Sequence, residues 1–168
     1  YNCPTKYPIS VDVNIKNITA LNVAVGNAYS RTEESYFDDF SIVKKDASKL
    51  CNGGFEDNLY YWQFTGPSFT LEQEKVHSGS HALCRAATAA WGDWAYSNYI
   101  SVPNNKEYTL TFWVNTSTGC YITVKNFING DTLGKIDDAA LNTNGGWQKK
   151  EIDFKEYITG DAREYDVL

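Results

Sequence analysis

An antiparallel β-sandwich is the fold this sequence predicts, on three observations. Apolar and polar residues alternate with a period of two over several short stretches, as strands with one buried and one solvated face require. Clusters of glycine, proline, asparagine and serine separate those stretches at short intervals, as the turns of a sandwich do. Aromatic residues make up 15% of the chain, with 5 Trp, 12 Tyr and 8 Phe, and with β-branched residues they favour pleated, half-buried surfaces over helices.

The elements follow in order. Val11, Val13 and Ile15 alternate with Asp12, Asn14 and Lys16, and Leu21, Val23 and Val25 alternate with Asn22 and Ala24, so two strands open the chain. After a polar loop through Gly26-Asn27 and residues 30–35, the stretch from Tyr36 to Val43 is a third strand carrying the pair Asp38-Asp39. Residues 44–49 are charged, lack apolar alternation and form a linker. Asn52-Gly53-Gly54-Phe55-Glu56 opens the main body: its glycines permit a tight turn, Phe55 anchors it to a core, and Glu56 and Asp57 offer hard oxygen ligands. An aromatic strand from Tyr60 to Phe64 stops at Gly66-Pro67, residues 68–75 extend again, and His77-Ser78-Gly79-Ser80-His81 turns tightly into the strand Ala82 to Arg85.

Residues 86–90 are a loop of small residues, and Trp91-Gly92-Asp93-Trp94 sets two indoles around a glycine before a strand from Ala95 to Val102. The stretch from Tyr108 to Val114 alternates most clearly. It turns Leu110, Phe112 and Val114 inward and Trp113 outward. From Tyr121 to Lys125 the pattern repeats, with Ile122 and Val124 inside and Tyr121 and Lys125 outside. A strand begins near Gly145-Gly146-Trp147 and runs through Ile152 and Phe154, and 165–168 read as the start of one more.

Composition limits function. A chain of 168 residues with 42% hydrophobic residues can bury one sizeable core. The net charge of -6, without a long Lys/Arg run, repels a phosphate backbone and excludes nucleic acid as a partner. No apolar run approaches the roughly 20 residues that span a bilayer, and no charged-then-apolar signal segment opens the sequence, so a mature, soluble chain is expected. Cys3, Cys51, Cys84 and Cys120 stand far apart with no C-x-x-C spacing, which argues against a zinc or thioredoxin-like centre. They allow three complete disulfide pairings, or four thiols packed as small hydrophobes.

Taken together, Asn52-Gly53-Gly54-Phe55-Glu56, Trp62, the run from Val76 to Leu83, the strand from Tyr108 to Val114, Gly146-Trp147-Gln148-Lys149 and the Asp38-Asp39 strand resemble the jelly-roll carbohydrate-binding modules. The match is to the galactose-binding-like type attached to xylanases and other plant-polysaccharide hydrolases. In such modules the Asp-Asp strand comes last, whereas here it precedes the Gly-Gly-Phe-Glu opening. Two arrangements accommodate this order. Either residues 1–45 supply closing strands to the body 51–168 across a linker at 46–50, giving one circularly permuted domain, or they end a preceding repeat. Closure within one chain is the expectation adopted, and it brings Asp38 or Asp39 to the Glu56 turn.

The resemblance further implies a structural calcium ion held by Glu56, Gly54, Ser78 or Ser80, and Asp38 or Asp39, remote from the sugar. Calcium takes about six to eight oxygens from flexible loops. For the ligand, aromatic side chains on an outer face or rim stack on the apolar face of a pyranose while polar neighbours read its hydroxyls. The candidates are Trp91, Trp94, Tyr96, Trp113, Tyr121 and Lys125, with Asn98 and Asn126 behind them, and Trp62 and Trp147 are assigned to the core.

Two rival classes are an enzyme and a protein-binding or adhesin module on the same sandwich. The pairs Asp38-Asp39, Asp137-Asp138 and Glu33-Glu34 are neighbours, and strand neighbours point to opposite faces, so adjacency supplies no acid/base couple. His77 and His81 share a turn without a nucleophile motif and read as solvated. Two Asn-x-Thr/Ser sequons, at Asn17 and Asn115, are compatible with secretion. The expectation is a non-catalytic polysaccharide-binding module of a secreted or surface-attached protein, in which attached catalytic or anchoring domains are kept near plant glycan such as β-glucan, xylan, mannan or xyloglucan.

Overall fold

A computed structural model describes residues 18–26, 34–44, 47–48, 50–86, 92–103, 107–117, 120–126 and 130–155. The expected strands at 11–15 and 165–168, together with Trp91, Cys3 and Asn17, lie outside them. Within the described residues the chain forms β1 (Ile18–Gly26), β2 (Ser35–Lys44), β3 (Ala47–Ser48), β4 (Trp62–Phe64), β5 (Phe69–Glu72), β6 (Ala82–Arg85), β7 (Trp94–Ser97) and β8 (Ile100–Pro103). It continues through β9 (Glu107–Thr116), β10 (Tyr121–Asn126), β11 (Thr132–Asp137), the four-residue helix α1 (Asp138–Leu141) and β12 (Gln148–Lys155). No described helix is long and apolar enough to cross a membrane.

The strands make two antiparallel sheets packed as a sandwich. The first runs β11-β10-β1-β7-β4, with β8 also on β1; the second runs β12-β9-β2-β6-β5, with β3 also on β2. Thus β1 and β2 sit in the middle of the two sheets, not at their edges. Two expectations need correction. The linker stretch holds β3, which pairs Ala47 with Lys44, and Leu50 enters the core. The strand expected from Ala95 to Val102 is broken into β7 and β8. Ala24 pairs with Tyr96 but Leu21 with Ile100, so one extra residue is accommodated between them, and the buried Ser97 hydroxyl accepts the Val23 N–H there at 2.9 Å.

Alternation decides what is buried. Val23 and Val25 of β1, Leu110, Phe112 and Val114 of β9, and Ile122 and Val124 of β10 all point into one core, where each aromatic or branched side chain contributes about 1.5–3 kcal/mol. The Gly-Gly-Phe-Glu opening is fastened to it by aromatics. Phe40 stacks on Phe112 with centroids 5.2 Å apart and meets Phe55 edge-on at 6.1 Å, while Phe55 and Trp62 lie 5.1 Å apart. Phe40 N–H also donates to the Gly53 carbonyl at 2.8 Å, and a Cβ at Gly53 would stand 1.7 Å from the Phe40 carbonyl oxygen. Only glycine permits that approach. Cys51 is disulfide-bonded while Cys84 and Cys120 lie buried as thiols, so the cysteines are neither all paired nor all reduced.

Candidate functional site

The outer face of the first sheet gathers four of the expected ligand residues. Because Ala95 points into the core, Trp94 and Tyr96 point away from it, with ring centroids 6.3 Å apart. Because Ile122 and Val124 point inward, Tyr121, Thr123 and Lys125 share that outer face. Between these two strands runs β1, whose outward residues are Asn22, Ala24 and Gly26. Register sets Gly26 between Trp94 and Tyr121, Ala24 between Tyr96 and Thr123, and Asn22 against Lys125. The small residues form a floor. At Gly26 a Cβ would lie 2.1 Å from the Trp94 ring, so the indole rests directly on the backbone of β1.

Two lysines lie over these rings: Lys125 Nζ is 5.7 Å from the Trp94 centroid, and Lys135 Nζ of β11 is 4.4 Å from that of Tyr121. Beneath them Asn22 and Thr123 are 8% and 5% exposed, and Asn22 Oδ1 and Thr123 Oγ1 have no hydrogen-bond partner. A buried polar atom without a partner is uncommon and points to a missing donor or acceptor. Burial also pushes the Tyr96 phenol above its ordinary range, keeping it neutral.

Asp93 and Trp94 are fixed from the side. Trp94 N–H donates to Thr65 Oγ1 at 2.8 Å, Thr65 N–H donates to the Trp94 carbonyl at 3.0 Å, and Ser68 Oγ donates to Asp93 Oδ2. Asn98 lies instead in the break between β7 and β8, its Nδ2 3.6 Å from Cys51 Sγ, and Asn126 is buried at the end of β10.

Trp113 does not belong to this group. It is on β9 in the second sheet, opposite Asp38, and its ring is stacked on His77 with centroids 3.7 Å apart at 15°. Trp147, assigned from sequence to the core, is half-buried beside them, its ring edge-on to His77 at 5.7 Å. His77 is therefore not a solvated turn residue: its Nδ1 is 2.8 Å from Asp39 Oδ2.

The acidic residues converge next to that stack. Asp38 is fully buried, and its Oδ2 accepts the His77 and Ser78 N–H groups at 3.0 and 3.2 Å; Asp39 accepts the Ser78 hydroxyl at 2.8 Å. Glu56 Oε1 accepts the Ser80 and His81 N–H groups at 2.9 and 3.1 Å, which holds the Glu56 carboxyl below its ordinary range. Neighbours on a regular strand would point apart, but Asp39 has φ 52° and the β2–β9 register slips between Asp38 and Ser41. That bulge delivers both carboxylates to one turn.

A Cβ at Gly54 would stand 3.4 Å from Asp39 Oδ1, 4.0 Å from Asp38 Oδ1 and 4.0 Å from Glu56 Cγ. Burial pushes the Asp38 carboxyl up to about 6 against the N–H bonds from Ser78, Asp39 and His77 that oppose it. The donor chemistry thus suits a hard cation, which would supply positive charge to a buried carboxylate. Among the described residues no three His, Cys, Asp or Glu side chains are yet gathered around one point, so holding a cation requires Asp39 and Glu56 to turn from their present donors.

Sequence reasoning missed Asn22, Gly26, Thr123 and Lys135. The first two were readable: once Val23 and Val25 are inside, Asn22, Ala24 and Gly26 are outside, and small residues in mid-strand mark a surface that something else covers. Lys135 lies on β11, which Gly134 and a register shift at Val124/Lys125 hide from pattern reading.

The family model described as "Carbohydrate binding domain" matches residues 47–164, which holds β3 to β12 and more than half of the chain. A search of curated proteins and one of solved structures each gave no match. With a two-sheet sandwich and that match, the chain belongs to the carbohydrate binding domain family.

Proposed function

We propose that this chain is a non-catalytic module that binds plant cell-wall polysaccharide (β-glucan, xylan, mannan or xyloglucan) on the outer face of its first sheet and keeps attached catalytic or anchoring domains near their substrate. One observation carries this reading: Trp94, Tyr96, Tyr121 and Lys125 line a strip whose floor is Ala24 and Gly26 and whose buried Asn22 Oδ1 and Thr123 Oγ1 lack partners. Pyranose rings stack on the indole and phenol faces, and hydroxyls reach the polar floor. The disulfide at Cys51 supports a secreted or surface location, since such bonds persist in oxidising compartments.

Affinity electrophoresis through each polysaccharide tests the reading. Retardation of the wild type by at least one of them, abolished in Trp94→Ala with an unchanged unfolding temperature, is the expected outcome. Migration unaffected by any of them favours a protein-binding module on the same fold.

A calcium ion completes the proposal, held by Asp38, Asp39 and Glu56 with backbone oxygens of Gly54 and Ser80, and serving stability instead of sugar contact. The two aspartate oxygens that face Gly54, with Glu56 bonded to the same 77–81 turn that Asp38 and Asp39 bond, support it. Calcium at about 100 times its dissociation constant raises stability by about 2.7 kcal/mol. Thermal unfolding in calcium and in chelator measures this, and the difference disappears in Glu56→Gln. Equal midpoints in the wild type would rule the ion out.

A further inference from the structure

We propose that the glycan taken by this face is acidic, a polysaccharide bearing uronic acid whose carboxylate pairs with Lys125 while its rings stack on Trp94 and Tyr96; this rests on the carbohydrate-binding reading above. The chain carries a net charge of -6, yet both side chains held over rings of this strip are lysines. The ion pairs of His77 with Asp39, His81 with Glu56 and Lys149 with Glu151 lie elsewhere, and Lys125 takes part in none of them. Asp93, next in sequence to Trp94, is engaged by Ser68. Among the described residues the Lys125 ammonium lies over the Trp94 ring.

That placement sets up a competition. A neutral sugar stacking on the Trp94 face competes with the ammonium 5.7 Å from the ring centroid and gains nothing from its charge. A uronate draws the ammonium off the ring into a charge-assisted hydrogen bond, so the same movement uncovers the platform and satisfies the lysine. Directly opposite Lys125 on β1, Asn22 offers a buried Oδ1 without a donor, and Thr123 offers Oγ1 two residues along β10. Sugar hydroxyls supply what both lack.

Isothermal titration with glucuronoxylan and polygalacturonate, each native and after carboxyl reduction to the neutral polymer, tests this, with neutral β-glucan, mannan and xyloglucan alongside. At least one native polymer is expected to bind about tenfold more tightly than its reduced form. That ratio is expected to collapse at about 1 M salt and in Lys125→Gln, and to persist in Lys125→Arg. The two acidic polymers distinguish uronate on a side branch from uronate in the main chain. Equal affinity for native and reduced polymers, or binding to neutral polymers alone, overturns the acidic-glycan proposal and leaves the binding face standing. Absence of binding to every polymer overturns both.

Discussion

On the outer face of the second sheet, Trp113, His77 and Trp147 cover one another while Asp38, Asp39 and Glu56 are bonded to the turn at 77–81; on the outer face of the first, Trp94 and Tyr121 are covered by lysines and the polar floor is unsatisfied. Both faces hold aromatics beside polar groups, so composition does not separate them. Satisfaction separates them in part. On the second face His81 Nδ1 lacks a hydrogen bond but lies 3.8 Å from the Glu56 carboxylate. On the first, Asn22 Oδ1 and Thr123 Oγ1 have no such charged neighbour among the described residues, which is why the binding role is proposed for the first.

The largest expected effect breaks the structural side. Gly53→Ala drives a Cβ onto the Phe40 carbonyl and is expected to cost about 3 kcal/mol in urea unfolding, because backbone, unlike a side-chain tip, cannot step aside. Trp113→Ala removes the ring under His77 and is expected to lower stability by about 2 kcal/mol while leaving polysaccharide affinity unchanged. Gly26→Ala does the reverse: a methyl under the Trp94 indole tilts the platform and is expected to weaken binding about tenfold in the same titration, with a smaller loss of stability.

The smallest effect is a pH dependence. The Asp38 carboxyl is raised from 3.8 to about 6 in the folded chain, so the native state binds its proton more tightly than the unfolded state does. Its contribution to stability is therefore most favourable below about 4 and is lost as pH rises through about 6. In chelator, the stability difference between wild type and Asp38→Asn is expected to shift by about 1 kcal/mol against the wild type from pH 5 to pH 7. A flat difference would mean that Asp38 is solvated.

What was legible in the sequence was whatever period two controls. The inward set on β9 and β10, and hence the outward Trp113, Tyr121 and Lys125, follows from alternation alone. What was not legible depends on which strands become neighbours. Trp113 and Trp94 both face outward, and only the sheet order puts them on opposite sides of the molecule. The bulge at Asp39 is equally silent, because a positive φ at an aspartate leaves no mark on the pattern beside it. The resemblance to the jelly-roll modules puts Trp147 in the core, whereas it lies half-buried with its ring edge-on to His77, a neighbour that chain order does not announce.

The most direct test pairs one residue from each face. Binding isotherms for Trp94→Ala and Trp113→Ala, taken with the polysaccharide that retards the wild type and alongside thermal unfolding of each variant, separate ligand contact from structural support. The expected result is a loss of about 30-fold in affinity for Trp94→Ala at an unchanged midpoint, and wild-type affinity at a lowered midpoint for Trp113→Ala. Wild-type binding by Trp94→Ala together with lost binding by a folded Trp113→Ala would contradict the assignment and move the site to the second sheet.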